Sequence, residues 1–528
     1  MTMHVTQIPR APRPRRAEPS ERVPRSDRGA PAPRALRPLA ALVLAAALAG
    51  CAGFKVGPDY AGPPAARSAS QAQTARAAAA LAVAPSPAAA SADDGWQARL
   101  PHGGAPVDLA RWWAQFDDPT LDTFLAAAQR ESGSIAQAAA RIEQARAQAV
   151  AAGAAGLPTL DLSAQSSRGT INIGTTVLLA NQNRLVAQAG WEIDLFGRIA
   201  REREAAAARL DARAAEWHDA RVSVAAETAA QYLQYRYCEV LVAIAEADAT
   251  SRAGTATATE RAAQAGFQAP ANAALARASA AEAASRLTAQ RAECDLTVKA
   301  LVALTGLAEP AVRATLAKTA GRLPAPRAFD VKAVPATLLS QRPDLAAAER
   351  SLAAASADIG SAEGDRYPRL SLAGSVGPLR LDTGSVGATI ATWSIGPSLS
   401  LPIFDGGRRR ANVESARAVY VAAEADYRAK ARQAVREVEE ALVRLASAAD
   451  READARTAAD GYRRNVTAAE VRWKGGLGSL LELEESRRLQ LVADSSLAGV
   501  QRDRVAAWVS LYRALGGGWT NENLESSK

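Results

Sequence analysis

Three cysteines and three histidines limit the chemistry open to this 528-residue chain. His4 lies in an Arg/Pro-rich leader, His102 in the tether region after it and His218 on a polar helical stretch, so no metal-ligand spacing and no catalytic triad can be assembled from them. No G-x-S-x-G, phosphate loop or dinucleotide fingerprint occurs, and Gly475-Gly476-Leu477-Gly478 lacks the Lys-Ser/Thr that phosphate binding needs. The acidic pairs Glu439-Glu440 and Glu484-Glu485 fall on helical stretches, where solvated or lumen-facing charge is the simpler reading. Catalysis, a cofactor and a metal site are therefore not expected. Two thiols have a use. Cys238 and Cys294 lie almost equidistant from Gly266-Phe267, where two long helical stretches meet. On an antiparallel pair they would come within ~3 Å of each other along the axis. A disulfide between them fits an oxidising compartment; two buried free thiols fit the spacing equally, because facing cannot be read from it.

The third thiol ends an apolar run, Leu39 to Gly50, that is too short to span a bilayer, which takes ~20 residues. Nine arginines precede it against Glu18, Glu21 and Asp27, so residues 1–50 carry +6 of the chain's +8 and read as a signal peptide. The remaining +2 supports no basic surface for nucleic acid. Leu48-Ala49-Gly50-Cys51 resembles the bacterial lipobox, in which the Cys carries diacylglycerol and becomes the mature N-terminus. That resemblance implies a lipid anchor, with palmitate, at Cys51, and Ala52 in place of Asp implies sorting to the outer membrane.

The elements are written twice. Leu157-Pro158-Thr159-Leu160 answers Tyr367-Pro368-Arg369-Leu370, Phe196-Gly197-Arg198 answers the Phe404 to Arg408 stretch, and Gly266-Phe267 answers Gly476-Leu477, about 210 positions on. Each copy reads helix, strand, strand, long helix, long helix. The expected divisions are a signal peptide at 1–50, an extended anchored tether at 51–94, a first repeat at 95–306, a linker at 307–333, a second repeat at 334–516 and a tail at 517–528. Within them, strands are expected at about 157–165, 185–195, 369–376 and 393–403, and long helices at about 198–264, 268–305, 408–473 and 480–515. Odd positions from Leu185 to Leu195 are apolar, with Trp191 among them. Trp393, Ile395, Pro397, Leu399, Leu401 and Ile403 repeat that period of two. Strands apolar on one face and small or polar on the other suit an outer-membrane barrel wall. Four strands cannot close, and open edges are intolerable in lipid. Two chains would give eight strands and a filled barrel; three give twelve and a lumen. Val413, Tyr420, Tyr427, Ala434 and Ala441 mark a heptad stripe on a helix of ~100 Å.

Cys51 with Gly57-Pro58-Asp59-Tyr60, Trp112-Trp113 with Phe116-Asp117-Asp118-Pro119, Arg342-Pro343-Asp344-Leu345 and the duplicated layout resemble the TolC-like outer-membrane efflux proteins, lipoprotein branch. The resemblance implies a mainly α fold with a mixed wall: a homotrimer with a 12-stranded outer-membrane β-barrel on a periplasmic coiled-coil tunnel. It implies a passive exit duct for drugs or other small toxic compounds, with antibiotic resistance as a consequence. The implied partners are a periplasmic adaptor protein, an inner-membrane transporter of the resistance-nodulation-division class and outer-membrane lipid. Carried onto this sequence, the family's periplasmic gate falls at Leu481 and Glu485, an i, i+4 pair. Two other readings stay open: a duct serving a protein-secretion, major-facilitator or metal exporter, and a non-transporting envelope lipoprotein. The substrate and the translation start are not readable from the chain.

Overall fold

A computed structural model describes residues 55–62, 105–106, 112–173, 175–326, 332–333, 341–384 and 386–519, all within the unit Phe54–Lys528. The signal peptide, Cys51, His102 and most of the expected tether and tail lie outside the described residues.

Asp118 opens helix α1 (Pro119–Glu131). Its carboxylate accepts from the Thr120 and Leu121 amides at 2.9 and 3.3 Å, and Pro119 takes a first-turn place where its missing N–H is not needed. Ser132 accepts from the Ile135 amide and starts α2 (Gly133–Ala154). Strands β2 (Thr159–Ile173) and β3 (Thr176–Ile193) follow, then α3 (Arg198–Gln264) and α4 (Pro270–Thr305). The 307–333 stretch, expected as a linker, carries a short helix, α5 (Glu309–Leu316), whose Val312 and Leu316 are buried. A two-residue parallel bridge pairs β1 (Ala105–Pro106) with β4 (Lys332–Ala333). The second copy supplies α6 (Pro343–Gly364), β5 (Arg369–Asp382), β6 (Gly387–Ser400), α7 (Arg408–Lys474) and α8 (Leu480–Ala514).

The duplication holds to the residue. Adding 210 to the bounds of α2 (133 and 154) gives those of α6 (343 and 364), and adding it to α3 (198 and 264) gives α7 (408 and 474). The hairpin registers agree as well: Thr159 pairs with Gly190, and Arg369 with Ser400, each number raised by 210. At the far end of each long helix the chain reverses on a left-handed glycine, Gly266 (φ 80°) or Gly476 (φ 72°), and the next amide, Phe267 or Leu477, returns to a carbonyl five residues back at 2.8 Å.

The main apolar core lies where α1 and α5 pack around the coils. It joins Phe124, Tyr232, Leu301, Leu316, Leu442 and Trp508, and Trp112 stacks on Trp508 with ring centroids 4.4 Å apart. Elsewhere the coils meet mostly through alanine. On α7 the expected stripe is buried at Val413, Ala434 and Ala441, and Val438 and Leu445 are buried beside it. Tyr420 and Tyr427 are only half-buried.

The strands, at 15, 18, 14 and 14 residues, run longer than the sequence marks. Their outer halves are polar enough (Ser166, Asn181, Asn183, Arg380) to hide the alternation. Conversely, β6 stops at Ser400 where the alternation runs on to Ile403. Its free edge has no partner beyond that point, and Ile403 and Phe404 are 85% and 90% exposed.

Candidate functional site

The sheet has the order β2-β3-β5-β6, antiparallel throughout. Residues directly opposite share a face, so the registers sort every side chain. One face carries the rows Ile193-Leu370-Leu399, Trp191-Leu372-Pro397, Ala189-Gly374-Ile395 and Ala187-Val376-Trp393, followed by Leu185 and Ala391. These five apolar rows cover about 27 Å along the strands, or ~21 Å of height at a tilt of ~40°, most of the ~25 Å band of an outer-membrane wall. Beyond them the same face turns polar: Ser166, Asn183, Arg380 and Thr389 form the next row. Leu160, Leu162, Trp393 and Ile395 on this face are each at least 70% exposed, a surface with no apolar cover within one chain.

The opposite face is different. Glu192-Ser371-Ser398, Gly190-Ala373-Gly396 and Gln188-Ser375-Ser394 make small or polar rows, and Ser375 and Ser394 hydrogen bond at 2.8 Å. Val186 and Ala180, on this side, are 3% and 1% exposed. Pro378 has no amide to give, and the β3–β5 ladder skips it; a Cβ on neighbouring Gly377 would lie 1.9 Å from the Leu185 carbonyl oxygen.

At the other end of the molecule, Ser479 caps α8 by accepting from the Glu482 amide at 3.1 Å. Leu480 and Leu483 turn into the coil, while Leu481 is 69% exposed and Glu485 stands on the same outward side. Arg488 donates to Glu485 at 2.6 and 2.9 Å, and this bond holds the Glu485 carboxyl below its usual value. Glu484, read in sequence as half of a solvated or lumen-facing pair, is not solvated. It accepts from Ser279 at 2.5 Å, from Arg487 at 3.1 Å and from Arg252, joining α8 to the first repeat's hairpin. Arg487, 4% exposed, also donates to Thr255 at 2.7 Å. Sequence reasoning missed this cluster, because an arginine on an Ala-rich helix carries no mark of whether it faces solvent or a neighbouring helix.

In the structure Cys238 and Cys294 are joined as a disulfide between α3 and α4, with Cα atoms 5.6 Å apart. His218 touches Trp217 and lies near Trp519; burial, with Arg221 beside it, pushes its pKa down to about 4, so it stays neutral at physiological pH. Among the described residues no group of His, Cys, Asp and Glu could hold a metal ion, and no single helix is long and apolar enough to cross a membrane.

The model of the family described as outer membrane efflux protein matches residues 125–307 and 334–517, one match per repeat. The chain belongs to this family. Nodulation protein T of Rhizobium leguminosarum bv. viciae is 32% identical over 430 residues, covering 80% of this chain and 87% of its own. The toluene efflux pump outer membrane protein TtgI of Pseudomonas putida is 30% identical over 418 residues, covering 77% of this chain and 87% of that protein. The solved structure of the outer-membrane channel OprN superposes with a TM-score of 0.75 at 29% identity, over 88% of this chain and 99% of that one. This outer membrane efflux protein is thus an efflux channel, the outer component of a pump, and not an enzyme. Its four-stranded sheet belongs to the outer membrane and its helices to the periplasm.

Proposed function

We propose that three copies of this chain close into a 12-stranded barrel continued by a helical tunnel, anchored through acylated Cys51. The duct passively carries drugs or other small toxic compounds delivered by an adaptor and an inner-membrane transporter of the resistance-nodulation-division class. The observation that carries this reading is the sheet with two free edges, an uncovered apolar face and an opposite face of small or polar side chains. Lipid tolerates no unpaired strand edge, so β6 needs a β2 from another copy. Twelve strands leave a lumen where eight do not. The small organic cargo fits the relative named for toluene efflux, and a lining of Ser, Gly and Gln is suited to passage rather than selection. Leu481 and Glu485, repeated around a threefold axis, make an apolar seal and an acidic ring at the periplasmic entrance. Phe267 and Leu477, both 83% exposed at the hairpin ends, offer the adaptor an apolar contact.

The duplication predicts the register between copies. Within the chain Ile193 pairs with Leu370. Adding 210 to the first and subtracting it from the second puts Ile403 opposite Leu160 of the next copy, which extends β6 to the end its alternation marks. The test is a chain carrying Ile403→Cys and Leu160→Cys in a Cys238→Ser, Cys294→Ser background. Oxidation should yield species ending at three chains, and the product should conduct in a planar bilayer. A product that stays monomeric, or a trimer without conductance, would sink the reading. Co-purification of the adaptor and transporter tests the pump class.

A further inference from the structure

The first residues described, Lys55 to Tyr60, lie on the surface but are held there by defined contacts. They cross the seam where the two repeats meet. The Val56 amide donates to the Phe196 carbonyl at 3.1 Å. Arg201, on α3 and 1% exposed, donates from Nε to the Val56 carbonyl at 3.2 Å and from Nη2 to the Gly57 carbonyl at 3.2 Å and the Asp59 carboxylate at 2.6 Å. Its Nη1 goes to Glu204 at 2.9 Å. The backbone approach is too close for side chains. A Cβ on Gly57, which is also left-handed at φ 92°, would lie 2.3 Å from the Gly360 Cα; one on Gly360 would lie 2.9 Å from both the Val56 carbonyl oxygen and the Arg201 Cγ; one on Gly197 would lie 2.8 Å from the Lys55 Cα. Past this crossing, Tyr60 buries its hydroxyl near Glu349 of α6 and Tyr420 and Tyr427 of α7. The segment thus runs from α3 over α6 to α7.

The equivalent positions 210 residues away carry none of this. Arg201 corresponds to Ala411, Gly360 to Val150 and Gly197 to Gly407, around which a Cβ would meet nothing within 4 Å. One seam is hollowed for an extended peptide and equipped with a buried arginine to bind its carbonyls. At the equivalent positions arginine is replaced by alanine and glycine by valine, so neither the cation nor the gap is present there.

We propose that Gly197, Arg201 and Gly360 form a binding site for an extended peptide with a Gly-Pro-Asp core, that its ligand is this chain's own Lys55–Asp59, and that filling it clamps the junction of sheet and coils so that the free edges of the two repeats are aligned for ring closure. The clamp rests on the trimeric reading above. The site itself does not.

The test uses the full acylated chain with Gly360→Val, which gives the in-chain seam the residue of its counterpart, and with Asp59→Ala, which removes one contact of an exposed side chain and leaves the fold untouched. Hydrogen exchange over residues 55–62 should rise at least tenfold in Gly360→Val and severalfold in Asp59→Ala, with helical circular dichroism unchanged. The share of protein recovered as closed oligomer should fall at least fivefold in the first and less in the second, while Val150→Gly should leave exchange over 55–62 as in the parent. Unchanged exchange in both variants overturns the site, and a freed segment with full oligomer recovery overturns the clamp. Bilayer conductance of the parent chain is recorded alongside: a parent without a pore removes the duct, and the exchange result then still decides the site.

Discussion

Helices α2 and α6 hold equivalent places in the two repeats and are each 22 residues long, yet α6 buries fourteen of them and α2 three. The difference is one of neighbours. α6 lies between α3 and α7 of its own chain, whereas α2, among the described residues, packs mainly on α3 and leaves Val150 68% exposed. In the proposed ring, α2 meets the α7 of the next copy as α6 meets α3, with Val150 against Ala411. One molecule therefore contains both the finished interface and a blueprint of the unfinished one, and the sequence differences between them separate what any seam needs from what one seam adds.

The sharpest way to break this correspondence is to place a charge on the unfinished seam. Val150→Asp should cost about 3 kcal/mol or more at each of the three seams, since it buries an unpaired carboxylate on assembly. Gel filtration should then return monomers of normal helicity; a ring surviving with its parent's stability would show that α2 is not an interface. The two faces of the sheet come next. Ile395→Arg, in the middle of the apolar band, should cost about 2–4 kcal/mol of membrane stability, read by urea unfolding in vesicles. Ser394→Arg, one residue away on the polar face, should leave stability near the parent's and lower conductance; similar losses for both would contradict the assignment of faces.

The hairpins are fastened differently, and a smaller effect should sharpen that contrast. Cys238 and Cys294 correspond to Ala448 and Arg504, and Arg504 instead holds Glu452 at 2.8 Å. Replacing both cysteines by alanine should cost about 2–4 kcal/mol, measured by denaturant unfolding. Glu452→Gln should cost about 1 kcal/mol. Although burial alone would raise it, Arg504 and Arg456 hold the Glu452 carboxyl below its usual value. Its contribution is therefore present above the unfolded pKa and lost as pH falls through the lower folded one; a loss already complete at pH 6 would contradict the pairing. Glu485, exposed and held down by Arg488, should leave stability unchanged when replaced by alanine. Its mark is on transport: Glu485→Ala should alter cation preference, conductance of the parent should respond to pH only below the usual carboxylate range, and Leu481→Ser should raise resting conductance. No change in any of these would retire the gate.

Much of this architecture was legible because it is written in local periods. The step of two in Leu185 to Leu195, the heptad of α7 and the Gly266 and Gly476 reversals are properties of short segments, and the structure places elements there. The polar outer halves of the strands were invisible because alternation needs a difference between faces to be seen. Glu484 and Glu485 could not be told apart by neighbours in sequence, since burial depends on which helix lies across from them. Arg201 was unmarked for the same reason, although the Gly57-Pro58-Asp59-Tyr60 motif that it binds stood out.

The amino-acid sequence by itself determined that the chain is a doubled unit of strand pairs and long coils with one apolar strand face, because turn chemistry and side-chain period act within a few residues. Only the tertiary structure decided that a buried arginine grips the N-terminal segment, that the two thiols face each other, that one glutamate of a pair is locked between repeats and that β6 ends before Ile403. Each of those depends on what lies across a seam, and a seam brings together residues whose separation in the chain leaves no local trace.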